Sequence, residues 1–425
     1  MEAKSDHSYD PTAFTGTVLN RGAAPYSQSG LWMAWVGYHL VDHYVNEVHE
    51  AAAIRTGAAI EDKSPLVKTV VKGPDAIPFV DRMMVRNATK IDVLHCNYTF
   101  YCDDFGHVVN EGITFRTEED EFIHFGGGPM AEWFSAHADG FDVEIRAAEG
   151  TDSDVGVLCV QGPTSFAVME AVLGDSFEDL GFSRGRKTEF RGGSVTVWRT
   201  GFTGEAGFEL WTDPAIGSDL FTTFVEDGAA HGAVPVGNAA QRMARVEAGM
   251  LILGVDYRPA GPLSQVQFAH LDGDRYLHTP AELNFGRLVN LKHDADFIGR
   301  SALEAEAAQD RPGKVMHGVE IDPSGIAALY ESNGTPPFLS PRMHRHFGSE
   351  IMVDGTSRGF ATSMCWSPTL ETMIGFAHIE DPSVEVGANV NLTWTIHDGK
   401  GRPVEGEVPA RVVPLPFVEM KRRRN

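Results

Sequence analysis

RTGFTGEAGFELW, residues 199–211, gathers Gly201, Gly204 and Gly207 into one short loop and then sets a single carboxylate, Glu209, between Phe208 and Leu210. SVTVWR just before it and GFELW at its end both alternate apolar and polar side chains, with Val195 and Val197 on one face and Phe208 and Leu210 on another, which predicts two strands. The glycines fall in the connection. Glycine takes positive φ and lets another group approach the backbone closely, so the loop is either a special turn or a contact surface. Spacing alone does not choose between them, and for a lone Glu in a strand the first expectation is an outward, solvated side chain.

A chain of 425 residues is too long for one ordinary core and implies two or three domains. With 42% hydrophobic and 22% charged residues it is globular, and a net charge of -24 disfavours nucleic acid and anionic membrane as partners. The one basic run, KRRRN at 421–425, reads as a solvated tail. No apolar stretch reaches bilayer length and the opening MEAKSDHSYDPT lacks a signal-peptide core, so a cytoplasmic protein is expected. Cys96, Cys102, Cys159 and Cys365 form no CxxC pair, which points to neither a disulfide framework nor a thiolate metal site.

Two segments echo each other: VVKGPDAIPFVDRMM (70–84) and LCVQGPTSFAVMEAVLG (158–174) each run strand, Gly-Pro, apolar helix, with the proline just inside the helix start. They imply α+β architecture with related halves. IGSDLFTTFVEDGAAHG (216–232) predicts a further helix with Leu220, Phe221, Phe224 and Val225 on one face. Pro259–Tyr276 reads as a long connection, RSALEAEAAQ (300–309) as a short helix, and the alternating segments from Val315 onward as an antiparallel β-barrel.

The usual signatures of nucleotide hydrolysis, serine hydrolysis, zincin chemistry and dinucleotide binding are missing. FGGGPMAEWF (125–134) reads as a tight turn from strand to helix. In YHLVDHYVNEVH, His39 and His43 stand four apart on an expected helix beside Asp42, yet with no third ligand defined no metal is expected. His344 and His346 read as polar barrel-loop residues. YTFYCDDFGHVVNEG (98–112) reads as a hairpin turning at DDFG and ending in Asn110 and Glu111; the residues alone predict a surface Glu111, whereas a buried one would hold its proton more tightly and serve as a general acid or an electrostatic anchor.

Taken in order, AIRTGAAIED, VVKGPDAIPFVDRMM, YTFYCDDFGHVVNEG, VQGPTSF, RTGFTGEAGFELW, RVEAGMLILGVDY, DFIGRSAL and SRGFATSMCWSPTL with IGFAHI resemble the aminomethyltransferase (glycine cleavage T-protein) family from about residue 50 onward. The resemblance implies an α+β, three-domain cloverleaf with a C-terminal antiparallel β-barrel. Its expected parts are 1–60 with 150–265 as a first, folate-binding domain, 61–149 as a second, 266–312 as a connection and 313–425 as the barrel. It implies tetrahydrofolate as cofactor, with Glu209 hydrogen-bonding the pterin and Gln161, Tyr98, Phe202 and Trp211 lining the folate site. Glu111, Tyr98 and Asn110 are the residues it places at the reacting centre.

Departures from the family pattern favour a donor other than that of glycine cleavage. Paired aspartates are Asn110 and Glu111 here, a Ser-His is Ser64-Pro65, an arginine is Gln241, and Phe202 replaces a tyrosine. Trp32, Trp35, Tyr38 and Tyr44 add aromatic surface. The GHV hairpin and DFIGR block look most similar to tetrahydrofolate-dependent aromatic O-demethylases and to the enzyme that opens the methylenedioxy bridge of sesamin. Gly127 stands where demethylases of aromatic acids carry an arginine, so the resemblance implies an uncharged aryl ether or methylenedioxy aromatic as small-molecule partner. The alternatives are an N-methyl or S-methyl donor, a T-protein-like aminomethyl donor, and a non-catalytic folate-binding protein, whose KGCYxGQE motif this chain lacks.

Overall fold

The computed structural model describes residues 15–148, 155–261, 273–309, 312–337 and 349–422. Its first strands, β1 (Thr15–Gly16), β2 (Leu31–Trp35) and β3 (Tyr38–His43), form a small sheet in the order β1-β3-β2. The helix expected over YHLVDHYVNEVH is therefore corrected. A strand runs through His43, and a helix begins only at Glu47, capped by Asn46, whose Oδ1 accepts from the amides of Val48 and His49. On a strand, four residues span roughly 13 Å, so His39 and His43 cannot share an ion. No group of three or more metal-ligating side chains occurs among the described residues.

Next come β4 (Ala58–Asp62) and five strands that make their own sheet: β5 (Val67–Lys72), β6 (His95–Cys102), β7 (Val108–Glu118), β8 (Glu121–Gly126) and β9 (Glu144–Ala148), ordered β6-β7-β8-β5-β9. β10 (Gly156–Gln161), β11 (Gly185–Phe190), β12 (Gly193–Trp198), β13 (Gly207–Thr212) and β14 (Ala233–Pro235) then join β4 in a six-stranded sheet, β11-β12-β13-β10-β4-β14. The two segments that flank the glycine loop are thus the antiparallel pair β12 and β13, with Trp198 opposite Glu209. The hairpin at 98–112 also forms, as β6 and β7 closed by a turn in which the Gly106 amide donates to the Asp103 carbonyl. FGGG links β8 to the helix Ala131–Ala136.

The repeated Gly-Pro units share one backbone device. Gly73 and Gly162 hold φ of 149° and 140°, ahead of helices at Ala76–Met83 and Ser165–Leu173. Both prolines precede the helix rather than sit inside it, because Asp75 and Thr164 occupy the cap positions. A Cβ on Gly162 would stand 2.2 Å from the Gly57 carbonyl oxygen, so glycine alone lets these two segments touch.

From Val315, β15 (Val315–Ile321), β16 (Ser349–Val353), β17 (Thr356–Ser367), β18 (Thr372–Ile379), β19 (Asn389–His397) and β20 (Pro403–Val413) close an antiparallel barrel, β15-β18-β17-β16-β19-β20. His344 and His346, and the middle of the connection expected over Pro259–Tyr276, lie outside the described residues.

Two apolar clusters join these parts. One gathers Ile54 from the helix Glu47–Thr56, Phe100 from β6, Tyr257, Phe297 and the barrel's Phe376. The other is a dry seam between the two large sheets, where Cys96, Phe115 and Phe125 meet Val157, Cys159, Trp198 and Trp211. The tail departs from the solvated reading: Lys421 and Arg422 are half-buried and their amides donate to the Gly204 carbonyl, while the last three residues are outside the described set. No described helix is long and apolar enough to cross a membrane.

Gly162→Ala is expected to destabilise the chain by roughly 3 kcal/mol, since backbone rather than a flexible side chain blocks the new methyl. Gly174→Ala, at φ 70° with open space around it, should cost only about 1 kcal/mol. Denaturant midpoints of the two variants check this, and equal shifts would refute the packing account.

Candidate functional site

Strand alternation decides which side chains face the seam. Glu61 on β4, Cys159 on β10 and Glu209 on β13 stand in one row across the six-stranded sheet, since Cys159 pairs with both. Phe208 and Leu210 point to the opposite face and fill that domain's own core, fully buried. Glu209 therefore points into the seam and is 5% exposed, which corrects the solvated expectation. Burial pushes its carboxyl up to about 7, with Lys63 pulling it down and Glu61 pushing it further up; no hydrogen bond from a described residue relieves it.

The glycine loop is a contact surface. Gln161, at the end of β10, donates from Nε2 to the carbonyls of Thr200 and Phe208 and accepts at Oε1 from the Thr203 hydroxyl. A Cβ on Gly201 would overlap that amide at 1.8 Å, and one on Gly207 would come within 2.6 Å of it. Gln161 thus braces the loop that leads into Glu209, with Nε2 donating to two backbone carbonyls. Trp211 faces the seam like Glu209 but is packed, its ring stacked on Phe125 at 4.4 Å. Phe202 sits half-buried on the loop.

Across the seam, β6 and β7 supply Tyr98 and Glu111. Glu111 is 5% exposed, and burial pushes its carboxyl up to about 7, opposed by the neighbouring Tyr98 hydroxyl and reinforced by Asp256. The Tyr98 hydroxyl is buried beside it without aligned hydrogen-bond geometry, and Tyr257 places a second buried, unpartnered hydroxyl in the same neighbourhood. Asn110 points the other way: its amide nitrogen donates to the Gly128 carbonyl and its oxygen accepts from the Glu111 amide. It ties the strand that carries Glu111 to the segment after β8.

The sequence reading missed Lys63. Its ammonium lies 2.7 Å from Glu61 Oε1, 3.2 Å from Gln241 Oε1 and 3.3 Å from Asn238 Oδ1, and stands over the Trp35 ring at 5.2 Å. Burial pushes Glu61 up to about 7 despite that lysine. Gln241, where the resemblance expects an arginine, is thus in contact with a lysine supplied from β4's end, and a cation still occupies the place. Only the tandem EDK at 61–63, with three charges in a buried segment, hinted at this. The site then offers a buried carboxylate, two buried hydroxyls and the unpartnered Gln241 Nε2, all set around apolar rings.

Comparison with known proteins accounts for this arrangement. The family description "GCVT N-terminal domain" matches residues 17–265, and "Glycine cleavage T-protein C-terminal barrel domain" matches residues 339–419. The chain belongs to the glycine cleavage T-protein family. An aminomethyltransferase from Saccharopolyspora erythraea is 28% identical over 384 residues, covering 90% of this chain and 93% of that protein. One from Rubrobacter xylanophilus is 29% identical over 391 residues, covering 91% and 90%. The glycine cleavage system aminomethyltransferase T of Bartonella henselae shares the fold, with a TM-score of 0.72 over 92% of this chain and 95% of that one, at 21% identity. T-proteins use tetrahydrofolate and transfer one-carbon units.

The raised carboxyls give the ligand-free protein a defined pH response. For Glu209 the folded value, about 7, lies above the usual 4.5, so the unfolded chain gives up this proton first. The stability tied to the protonated carboxyl is complete below about pH 4.5 and is lost as pH rises through 7, by on the order of 1 kcal/mol per pH unit. Thermal unfolding from pH 5 to 8 should show wild type losing more stability than Glu209→Gln. Parallel pH curves would contradict a buried, unpaired carboxyl.

Proposed function

We propose that this protein transfers a one-carbon unit from a small donor to tetrahydrofolate, with Glu209 as the anchor of the pterin. The observation that carries this reading is the Glu209 carboxylate, buried in the seam with no hydrogen bond to a described residue. Such a group is costly unless a ligand brings donors to it, and a pterin's amide and amino N-H groups are donors of that kind. Tetrahydrofolate supplies the nucleophilic nitrogen, N5, that accepts the carbon.

The chain's own contribution is orientation and a proton. Apolar rings on both sheets flank the seam and exclude water, and alignment of the reacting atoms can supply roughly 7 kcal/mol or more of barrier lowering. When the donor's carbon leaves its heteroatom, the bonding pair stays on that heteroatom, which then needs a proton. Glu111 carries one close to neutral pH, with its carboxyl pushed up to about 7, and Tyr98 stands beside it. A positioned acid of this kind adds a factor of about a hundred or more in rate.

The aminomethyltransferase relatives favour an aminomethyl donor of the T-protein type. A second reading, demethylation or demethylenation of a methoxy or methylenedioxy aromatic, is favoured by one observation. Trp35 lies against Lys63 beside the site, and Trp32, 40% exposed, lines an opening that reaches Glu61. An aryl ether leaves as a phenolate, for which an aromatic wall and an acid are suitable surroundings.

Incubating the protein with tetrahydrofolate and either an aminomethyl carrier or a panel of aryl ethers, then weighing the folate product, separates the two readings. Formation of a modified folate from neither donor class would sink both. Glu209→Gln should weaken tetrahydrofolate binding by about tenfold to a hundredfold in calorimetry. Glu111→Gln should lower turnover by about a hundredfold with little change in that affinity. If Glu209→Gln binds as tightly as wild type, the carboxylate is not the anchor.

A further inference from the structure

One cation of the helix Asn238–Glu247 has no counterpart in the fold. Asn238, Gln241, Arg242 and Arg245 recur at the three- and four-residue spacing of a single helix face. Three of the four are engaged. Asn238 Oδ1 and Gln241 Oε1 accept from Lys63 at 3.3 and 3.2 Å, and Arg245 pairs with Asp256. Arg242 is half-buried and forms no hydrogen bond or ion pair with a described residue.

The acids near it are taken. Asp42 and Asp256 both act on the Arg242 guanidinium, but Asp42 lies 3.1 Å from His43 Nδ1, and Asp256 accepts from Arg245, Ser363 and Thr362. Burial first, and then the Arg245 charge, hold the guanidinium below its usual range. The other cations of this neighbourhood have carboxylates of their own: Lys63 has Glu61, and Arg55 has Glu205 and Glu247. A guanidinium half out of water beside a like charge is costly until an anion reaches it.

Its place is next to the reacting centre. Asp256 acts on Arg242, on Glu111 and on Tyr98 alike. Gln241, one residue earlier, joins the same turn of helix to Lys63, whose ammonium stands over the Trp35 ring at 5.2 Å. The Gln241 Nε2 is buried with no acceptor among the described residues. A donor that takes its proton from Glu111 lies within this surround.

We propose that Arg242 receives a carboxylate carried by the one-carbon donor, with the Gln241 amide nitrogen as a second hydrogen-bond donor to it. This rests on the one-carbon transfer reading and deepens it: the donor is a small organic acid, unlike the uncharged molecule expected from the sequence. A guanidinium fork suits a carboxylate because two N-H donors meet two oxygens at once, and partial burial strengthens the pair and shields it from salt.

Binding of benzoate to the full chain saturated with tetrahydrofolate, beside its uncharged isostere benzamide, tests this without turnover. Benzoate should bind about tenfold tighter or more. Arg242→Gln should abolish that preference, and Arg242→Lys should keep only part of it, since the charge survives and the fork does not. Arg402→Gln, on the barrel's far hairpin beside Asp398, should behave as wild type. Ligand-free Arg242→Gln should melt no lower than wild type, and a lower melting temperature would mark a structural cation and overturn the proposal. Loss of tetrahydrofolate affinity in Arg242→Gln would assign the guanidinium to the cofactor and overturn it too. Absence of a benzoate preference in wild type, or its survival in Arg242→Gln, refutes the donor site while the cofactor reading stands. If tetrahydrofolate itself does not bind, both readings fall.

Discussion

Arg55 holds the site's architecture together. Its guanidinium, nearly buried on the first long helix, donates to Glu247 Oε2 at 2.9 Å, to the Thr203 and Ala244 carbonyls at 2.6 and 2.9 Å, and to Glu205 at 3.2 Å. Each partner belongs to something else. Thr203 and Glu205 are in the glycine loop, Glu247 ends a helix and accepts from the barrel's Ser367, and Glu205 also meets Lys421 of the tail. Removing the guanidinium would leave buried Glu247 with the Ser367 hydroxyl and buried Glu205 with the more distant Lys421 ammonium, beside a loop with no side chains at three positions to stiffen it. The cost would be that of uncompensated buried charge rather than of one lost ion pair.

A second buried cation repeats this logic at the barrel. Arg245 pairs with Asp256 at 2.5 Å and donates to Ser363 on β17, and Asp256 in turn accepts from the hydroxyls of Ser363 and Thr362. Asp256 also stands near enough to push the Glu111 carboxyl upward. Barrel hydroxyls thus help to hold the Asp256 charge that acts on Glu111, while the described residues of the seam's apolar cluster all come from outside the barrel. The charge balance of the site is distributed over three folding units.

How far the sequence disclosed this follows from what periodicity can carry. Local pattern gave β12, β13, the two Gly-Pro units and the barrel, because alternation and turn residues act within a few positions. It misread 38–49, where a short amphipathic strand runs straight into an Asn-capped helix and both periods fit the same letters. Glu209 could not be placed from its own strand, since burial of both faces depends on a second sheet some hundred positions away in the chain. Lys63 escaped notice for the same reason: its partners Asn238 and Gln241 lie on a distant helix. The amides of Gln161 and Asn110 are engaged with backbone, a fact only tertiary contact reveals.

An acidic protein that takes an anionic cofactor must resolve a conflict of sign. Charges separated by more than about 8 Å are largely screened at physiological salt, so the net -24 acts weakly on a ligand already inside the seam. The charge nearest the seam's carboxylates is local, the Lys63 ammonium beside Glu61. Glu61 and Glu209 do not oppose that arrangement while they hold protons, and burial makes both do so up to about pH 7. The dry seam therefore does two things at once. It makes an unpaired carboxyl seek a donor-rich ring, and it keeps neighbouring carboxyls neutral enough that their repulsion does not cancel the attraction.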